Sequence, residues 1–386
     1  MQMGVVYKQP LIDSFYSALF EVTGVVIALI IIAVFVSLTK RFMRWETDAS
    51  ITVSSRDGDG TLSDETPSQY DSGGNGAKYS MPIPLLARLT LRRGLAVLWF
   101  FDAILQAQPA MVTLGFVGGV LKMAQQNQPP WLYHLMEQGI LVWTSHPIAA
   151  NITAIYMQAG VGIALFIADP DTRMGRIALW TSILWAIFIW VFGEGLGGIL
   201  TGAATYLAGS PGSALFYAGA AILLLLPKQH WLSGRVARLG QVGIGCYWMI
   251  AAGWQAAPNA AFFKSGNLMP FFSNAAAIPQ PSWLAAPINV MTALASNHAF
   301  LLNAAFVAIM GVIGIGMVAN APKTWVAFLA GFWLLFSWWT SMDFGIMGGI
   351  GTDPNTPPVV ALLMVSTWLM HPASRNAAGQ PRASVP

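Results

Sequence analysis

The sequence predicts an all-α integral membrane protein, with an N-terminal anchor helix followed by two tandem four-helix transmembrane units and about nine spans in all. Three observations carry this expectation. The 386-residue chain is 55% hydrophobic and only 9% charged, where a soluble domain carries roughly 25% charge. Its mean hydropathy is +0.59, and its apolar runs approach the ~20 residues that a helix needs to cross ~30 Å of hydrocarbon. Polar and aromatic residues in 85–230 also recur at a nearly constant spacing in 231–373.

The formal net charge is +3, and no Lys/Arg run is interleaved with aromatics, which excludes a nucleic-acid partner. Cys246 is the only cysteine. That excludes an internal disulfide, a CxxC redox pair and a thiolate metal cluster.

The elements follow in chain order. The first apolar run, residues 22–38, is followed at once by Lys40, Arg41 and Arg44. Positive charge after the run is the reverse of a secretory signal, so residues 1–44 are expected to be a retained anchor with its basic end in the cytoplasm. Residues 45–84 are rich in Asp, Ser and Gly and hold too little apolar surface to offset the entropy of ordering; they read as a disordered cytoplasmic linker.

The first four-helix unit, 85–230, is expected to span at 94–106, 147–168, 177–191 and 213–226. The second, 231–373, is expected to span at 242–255, 299–318, 324–339 and 359–370. Arg88, Arg92 and Arg93, then Arg173 and Arg176, then Lys228, Arg235 and Arg238, then Lys323 and Arg375 fall on alternate loops, with only Lys122 and Lys264 opposite. The positive-inside rule then places the N terminus outside and the C terminus inside, with 374–386 as a cytoplasmic tail. A multi-pass protein of the cell membrane, with the lipid bilayer as its first partner, is the expectation. Two outer segments, 111–145 and 259–297, are too long for turns and predict a structured cap at the interface.

The internal match is specific in its residue types. Gln106 and Pro109 recur 149 residues later as Gln255 and Pro258. Gln128, Pro129, Trp131 and Leu132 recur 152 residues later as Gln280, Pro281, Trp283 and Leu284, and His146 and Asn151 recur at the same spacing as His298 and Asn303. An even number of spans in each copy gives both the same orientation, so the copies are expected to be parallel repeats about an axis along the membrane normal.

Ionisable and amide side chains inside spans are costly, and each is a candidate for function. Asp102 lies nine residues beyond Arg93, about 13 Å further along a helix, and Gln106 is one turn on. A buried link between helices and a proton-accepting carboxylate both fit Asp102; Ala251 takes its place in the second copy. His146 and His298, with Asn151 and Asn303 five residues on, open the second spans. They suit helix capping better than a metal or haem, which outer-end histidines would hold too near water. Glu194 and Asp343 close the third spans among glycines. They suit either pinning the next loop or accepting protons. The stretch 193–198 is not a nucleotide loop, because no strand precedes it.

This layout, a span, a long outer segment opening the second span, then two more spans with an acidic, Gly-rich end to the third, resembles the DoxX-like superfamily. That superfamily includes the small membrane subunit of thiosulfate:quinone oxidoreductase. The resemblance covers roughly residues 88–370, as two such units fused behind an extra anchor. It implies a membrane subunit of a redox complex that works with the quinone pool, alongside other membrane or extracytoplasmic subunits carrying the redox centre. The residues add a site to that expectation: an outward-facing polar pocket with Glu194, Asp343 and Asp102 as catalytic groups. His146, His298, Gln106, Asn151, Gln255 and Asn303 would bind the quinone, with no metal. A small-solute transporter or permease, and a non-catalytic scaffold or assembly subunit, are the alternatives.

Overall fold

Proline, which has no N–H to give and a fixed φ, marks the helix starts in the computed structural model. Pro82, Pro129, Pro281 and Pro322 are the last extended residues before four of the long helices. The structure describes residues 8–27 and 81–370, and among the described residues there is no β-strand. Helix α1 (Gln9–Ile27) belongs to a unit of its own. It starts well upstream of the predicted residue 22. The remainder of the predicted anchor, residues 45–80 of the predicted 45–84 linker and the tail of 374–386 lie outside the described residues, while 83 and 84 already belong to a helix.

The larger unit runs through α2 (Ile83–Gln106), α3 (Pro130–Ser145), α4 (Pro147–Ile167), α5 (Arg173–Phe192) and α6 (Ser213–Leu225). It continues through α7 (Arg235–Ala256), α8 (Ser265–Ala276), α9 (Ser282–Val318), α10 (Lys323–Thr340) and α11 (Thr356–Met364), with a π-helical turn at Val365–Leu369. Helices α1, α4, α5 and α9 are long and apolar enough to cross a membrane. Large apolar side chains stand on the outer surface, among them Trp180, Leu184, Phe300, Leu301 and Phe328, each more than half exposed. A water-facing surface would not carry such a coat, whereas hydrocarbon tails solvate it. The chain is a membrane protein.

Inside, α2 packs on α4, α7 on α9, and α5 on α6, while α6 and α11 meet at the centre. Trp99, Trp231, Trp248, Trp333 and Trp368 are fully buried. Tryptophan thus fills the bundle, while Trp131, Trp180, Trp283 and Trp325 stand exposed. Polar side chains lock the helix pairs at both ends. Gln106 Nε2 donates to Asn151 Oδ1 at 2.7 Å, and Gln255 Nε2 to Asn303 Oδ1 at 2.6 Å. At the basic end, Arg92 donates to the Ala168 carbonyl and Gln241 to the Met317 carbonyl. Arg88 makes a bidentate pair with Asp171 at 2.8 and 2.9 Å and also reaches the Leu224 carbonyl. This holds the Asp171 carboxyl well below the usual carboxylate range, the Arg88 hydrogen bond being the largest cause.

Both expected histidine positions are helix breaks. His146 (φ −134°, ψ 55°) separates α3 from α4, and His298 (φ −135°, ψ 35°) breaks α9. The second outer segment therefore does not stand apart from the span that follows. It runs into it through this break.

Candidate functional site

Gly193 ends α5, and the chain then reverses. Gly195, Leu196, Gly197 and Gly198 all take left-handed backbone, φ 55° to 71°, which glycine adopts without a Cβ penalty. Gly197 lies so close to the Pro211 carbonyl that any Cβ would overlap it. Ser210 Oγ donates to the Gly197 carbonyl at 2.7 Å, and Trp190 Nε1 to the Pro211 carbonyl at 2.6 Å. The loop is thus folded back onto the start of α6. From the other side, Gln128 Nε2 donates to the Gly195 carbonyl at 2.9 Å.

This folding delivers Glu194 to the N terminus of α6, where unpaired amides favour negative charge. Glu194 Oε1 accepts from Ser213 Oγ at 2.7 Å and from the Ala214 amide at 3.2 Å. Gly212 (φ 102°) leaves the space that Glu194 Oε2 fills, since a Cβ there would collide with it. A second carboxylate, Asp353, comes from the loop between α10 and α11. It accepts from the Asn355 amide at 2.7 Å and from Thr352 Oγ1 at 3.2 Å. The Ser213 hydroxyl is given to Glu194. Two buried carboxyls lining one cavity are best satisfied when they share a proton.

The third carboxylate, Asp102 on α2, is 2% exposed, and its Oδ1 accepts from Tyr217 Oη at 3.3 Å. Tyr217 in turn stands edge-on to Trp99 with ring centroids 4.8 Å apart. Asp102, Glu194 and Asp353 line one cavity of about 130 Å³, together with Gln106, Gln158 and Tyr217 and with walls that include Trp99, Trp143, Trp185 and Phe188. Burial first, then the charge of Asp353, pushes the Glu194 carboxyl above the usual carboxylate range, and burial does the same to Asp353.

Of the residues expected at the site, Glu194, Asp102 and Gln106 come together here. The expectation that His146, His298 and Asp343 line the same pocket needs correcting. Both histidines are exposed at their helix breaks. Asp343 is half-buried in its own turn at φ 50°, with burial lifting its carboxyl to about 6, and does not line the cavity. Asn151, Gln255 and Asn303 are fully buried and face each helix partner or Thr205, whose hydroxyl donates to Gln255 Oε1. They lock helices and do not line the cavity.

Sequence reasoning missed Asp353, Tyr217 and Gln158. Gln158 carried a signal, being a second amide two helical turns beyond Asn151 on one face of the helix. Asp353 lies in a Thr- and Pro-rich turn of the kind that follows Glu194, but its closeness to Glu194 is a tertiary fact. Among the described residues no group of three or more His, Cys, Asp or Glu side chains is placed to hold a metal ion.

Tyr206, on the loop that follows Glu194, is fully buried with its ring centroid 4.9 Å from Trp248 and 6.0 Å from Trp333. Its hydroxyl accepts from Ser337 Oγ at 3.2 Å. Comparison with family models, with curated proteins and with solved structures finds no match for this chain.

Proposed function

We propose that this chain is the DoxX-like membrane subunit of a redox complex and that it exchanges with the quinone pool through the cavity holding Asp102, Glu194 and Asp353. In this reading it crosses the membrane about nine times, with its basic helix ends in the cytoplasm and the cavity toward the outer side. One observation carries the proposal: three carboxylates, remote in sequence, converge on one aromatic-walled space of about 130 Å³. That volume matches a single six-membered ring, since a cavity of about 150 Å³ takes benzene. Aromatic walls that include Trp99 and Trp185 suit a ring, and Gln106, Gln158 and the carboxylates suit its oxygens.

A quinone, when bound, supplies two-electron, two-proton chemistry. The chain's own residues hold and move the protons. Glu194 and Asp353, which line the cavity together, take up or return one, and Asp102 with Tyr217 offers a second acceptor on α2. The electrons pass to or from a redox centre in a partner membrane or extracytoplasmic subunit.

We infer further that residues 85–230 and 231–373 are parallel repeats. The paired bonds Gln106–Asn151 and Gln255–Asn303 support this, as do Arg92–Ala168 and Gln241–Met317, and the breaks at His146 and His298. Trp190 to Pro211 and Trp338 to Pro354 form another matched pair. In that frame Trp248 and Ala251 stand where Trp99 and Asp102 stand, and Tyr206 fills the space that the first repeat leaves open. Only the first repeat then does chemistry.

The test is mild extraction followed by mass spectrometry of everything bound. A quinone and a redox-active subunit are expected in near-stoichiometric amounts, and Glu194→Gln should lower quinol turnover of the complex about a hundredfold with unchanged yield. Counterflow of a labelled solute in vesicles of this chain alone would establish a transporter instead. Full turnover after substitution of all three carboxylates would leave a scaffold.

A further inference from the structure

The cavity contains polar atoms that nothing in the chain satisfies. Gln158 Oε1, Glu194 Oε2 and Trp185 Nε1 belong to residues that line it, and none has a hydrogen-bond partner. Gln158 is only 4% exposed. Some neighbouring atoms are already engaged: Glu194 Oε1 accepts from Ser213 and Ala214, Gln106 Nε2 is given to Asn151, and Asp102 Oδ1 receives Tyr217. A buried acceptor without a donor is costly to the fold. In a cavity it marks the place where a ligand brings the missing donor.

Two of the three unpaired atoms are oxygen acceptors, and this separates the two oxidation states of a ring. A quinone presents carbonyl oxygens, which accept only. A hydroquinone presents two hydroxyls, which donate. Resting on the quinone reading above, we propose that the cavity selects the reduced, dihydroxy ring, with one hydroxyl donating to Gln158 Oε1 and the other to Glu194 Oε2. Trp185 Nε1 then donates to a ring oxygen.

The proton follows from the same geometry. Because Oε1 of Glu194 is held by two donors, Oε2 is the atom free to take a proton. In that step the hydroxyl O–H bond breaks, an Oε2–H bond forms, the negative charge moves to the ring oxygen, and no electron is transferred. Gln158 titrates nothing. It is a specificity residue that binds and orients the ring.

The experiment uses the full chain in detergent under anaerobic conditions, titrated calorimetrically with tetramethylhydroquinone, tetramethylbenzoquinone and tetramethylbenzene. The hydroquinone is expected to bind about tenfold or more tighter than the quinone. Gln158→Leu should reduce that preference to about twofold while leaving the affinity for tetramethylbenzene unchanged. Equal or tighter binding of the quinone by the unsubstituted chain overturns this selectivity and leaves the quinone reading standing. Failure of both oxygenated rings to bind overturns both. Since the unsubstituted chain alone gives the ratio, the outcome does not depend on the variant folding.

Discussion

At the scale of single residues, the site turns on two buried acids. Ser213 donates to Glu194 Oε1 at 2.7 Å, and the Asn355 amide donates to Asp353 Oδ1 at 2.7 Å. With both carboxyls raised by burial, the folded chain retains a proton that the unfolded chain releases. Stability conferred by such a group is fully present below the unfolded carboxylate pKa and is lost as pH rises through the folded one, at up to about 1.4 kcal/mol per pH unit per proton. The melting temperature of the full chain should therefore fall as pH is raised from about 5. In Glu194→Gln, which cannot ionise, that slope should flatten. An unchanged slope in the variant would mean that the pair carries no shared proton. The acid limb has the opposite sign: Asp171, held low by Arg88, stabilises above the usual aspartate pKa and loses that contribution as pH falls.

At the scale of elements, the positions of the helices were legible and their joins were not. Apolar length together with Pro82, Pro129, Pro281 and Pro322 marks where helices lie, because a residue at a helix start needs no N–H for the helical ladder. The Arg88 clasp was visible only as a basic loop signal. In the structure that arginine is 4% exposed and ties α2 to Asp171 and to the end of α6. Arg88→Met should cost about 3 kcal/mol, the low end for a broken buried pair because Asp171 keeps some contact with water. A melting shift near zero would show that Lys228, 3.1 Å from Asp171, suffices alone. The Glu194 loop was legible as acidic and glycine-rich, yet its reversal depends on Gly197 meeting Pro211 across the loop. The histidines misled because matched spacing reports matched backbone: both are breaks in a helix, and neither reaches the cavity.

At the scale of the whole molecule, the proposed duplication accounts for the architecture, and a departure from it accounts for the site. If two copies of one bundle folded alike, each would leave the same space beside its buried tryptophan, Trp99 in one and Trp248 in the other. The loop after Glu194 breaks that equivalence by carrying Tyr206 away from the first copy's cavity and into the second copy's core, anchored by Thr205 on Gln255 and by Ser337. In exchange, the loop before α11 brings Asp353 to the first copy's cavity. Each half thus finishes the other, and only one is left with acids around an opening. Tyr206→Ala should expose the consequence. It removes a fully buried aromatic side chain, at about 3–5 kcal/mol, and leaves a dry, ring-sized space against Trp248 and Trp333. Because Ala251 supplies no carboxylate there, that space should take tetramethylbenzene, doubling its binding stoichiometry in titration, while the number of hydroquinone molecules bound stays the same. A second hydroquinone bound by the variant would mean that the acids of the first half are not what defines the site.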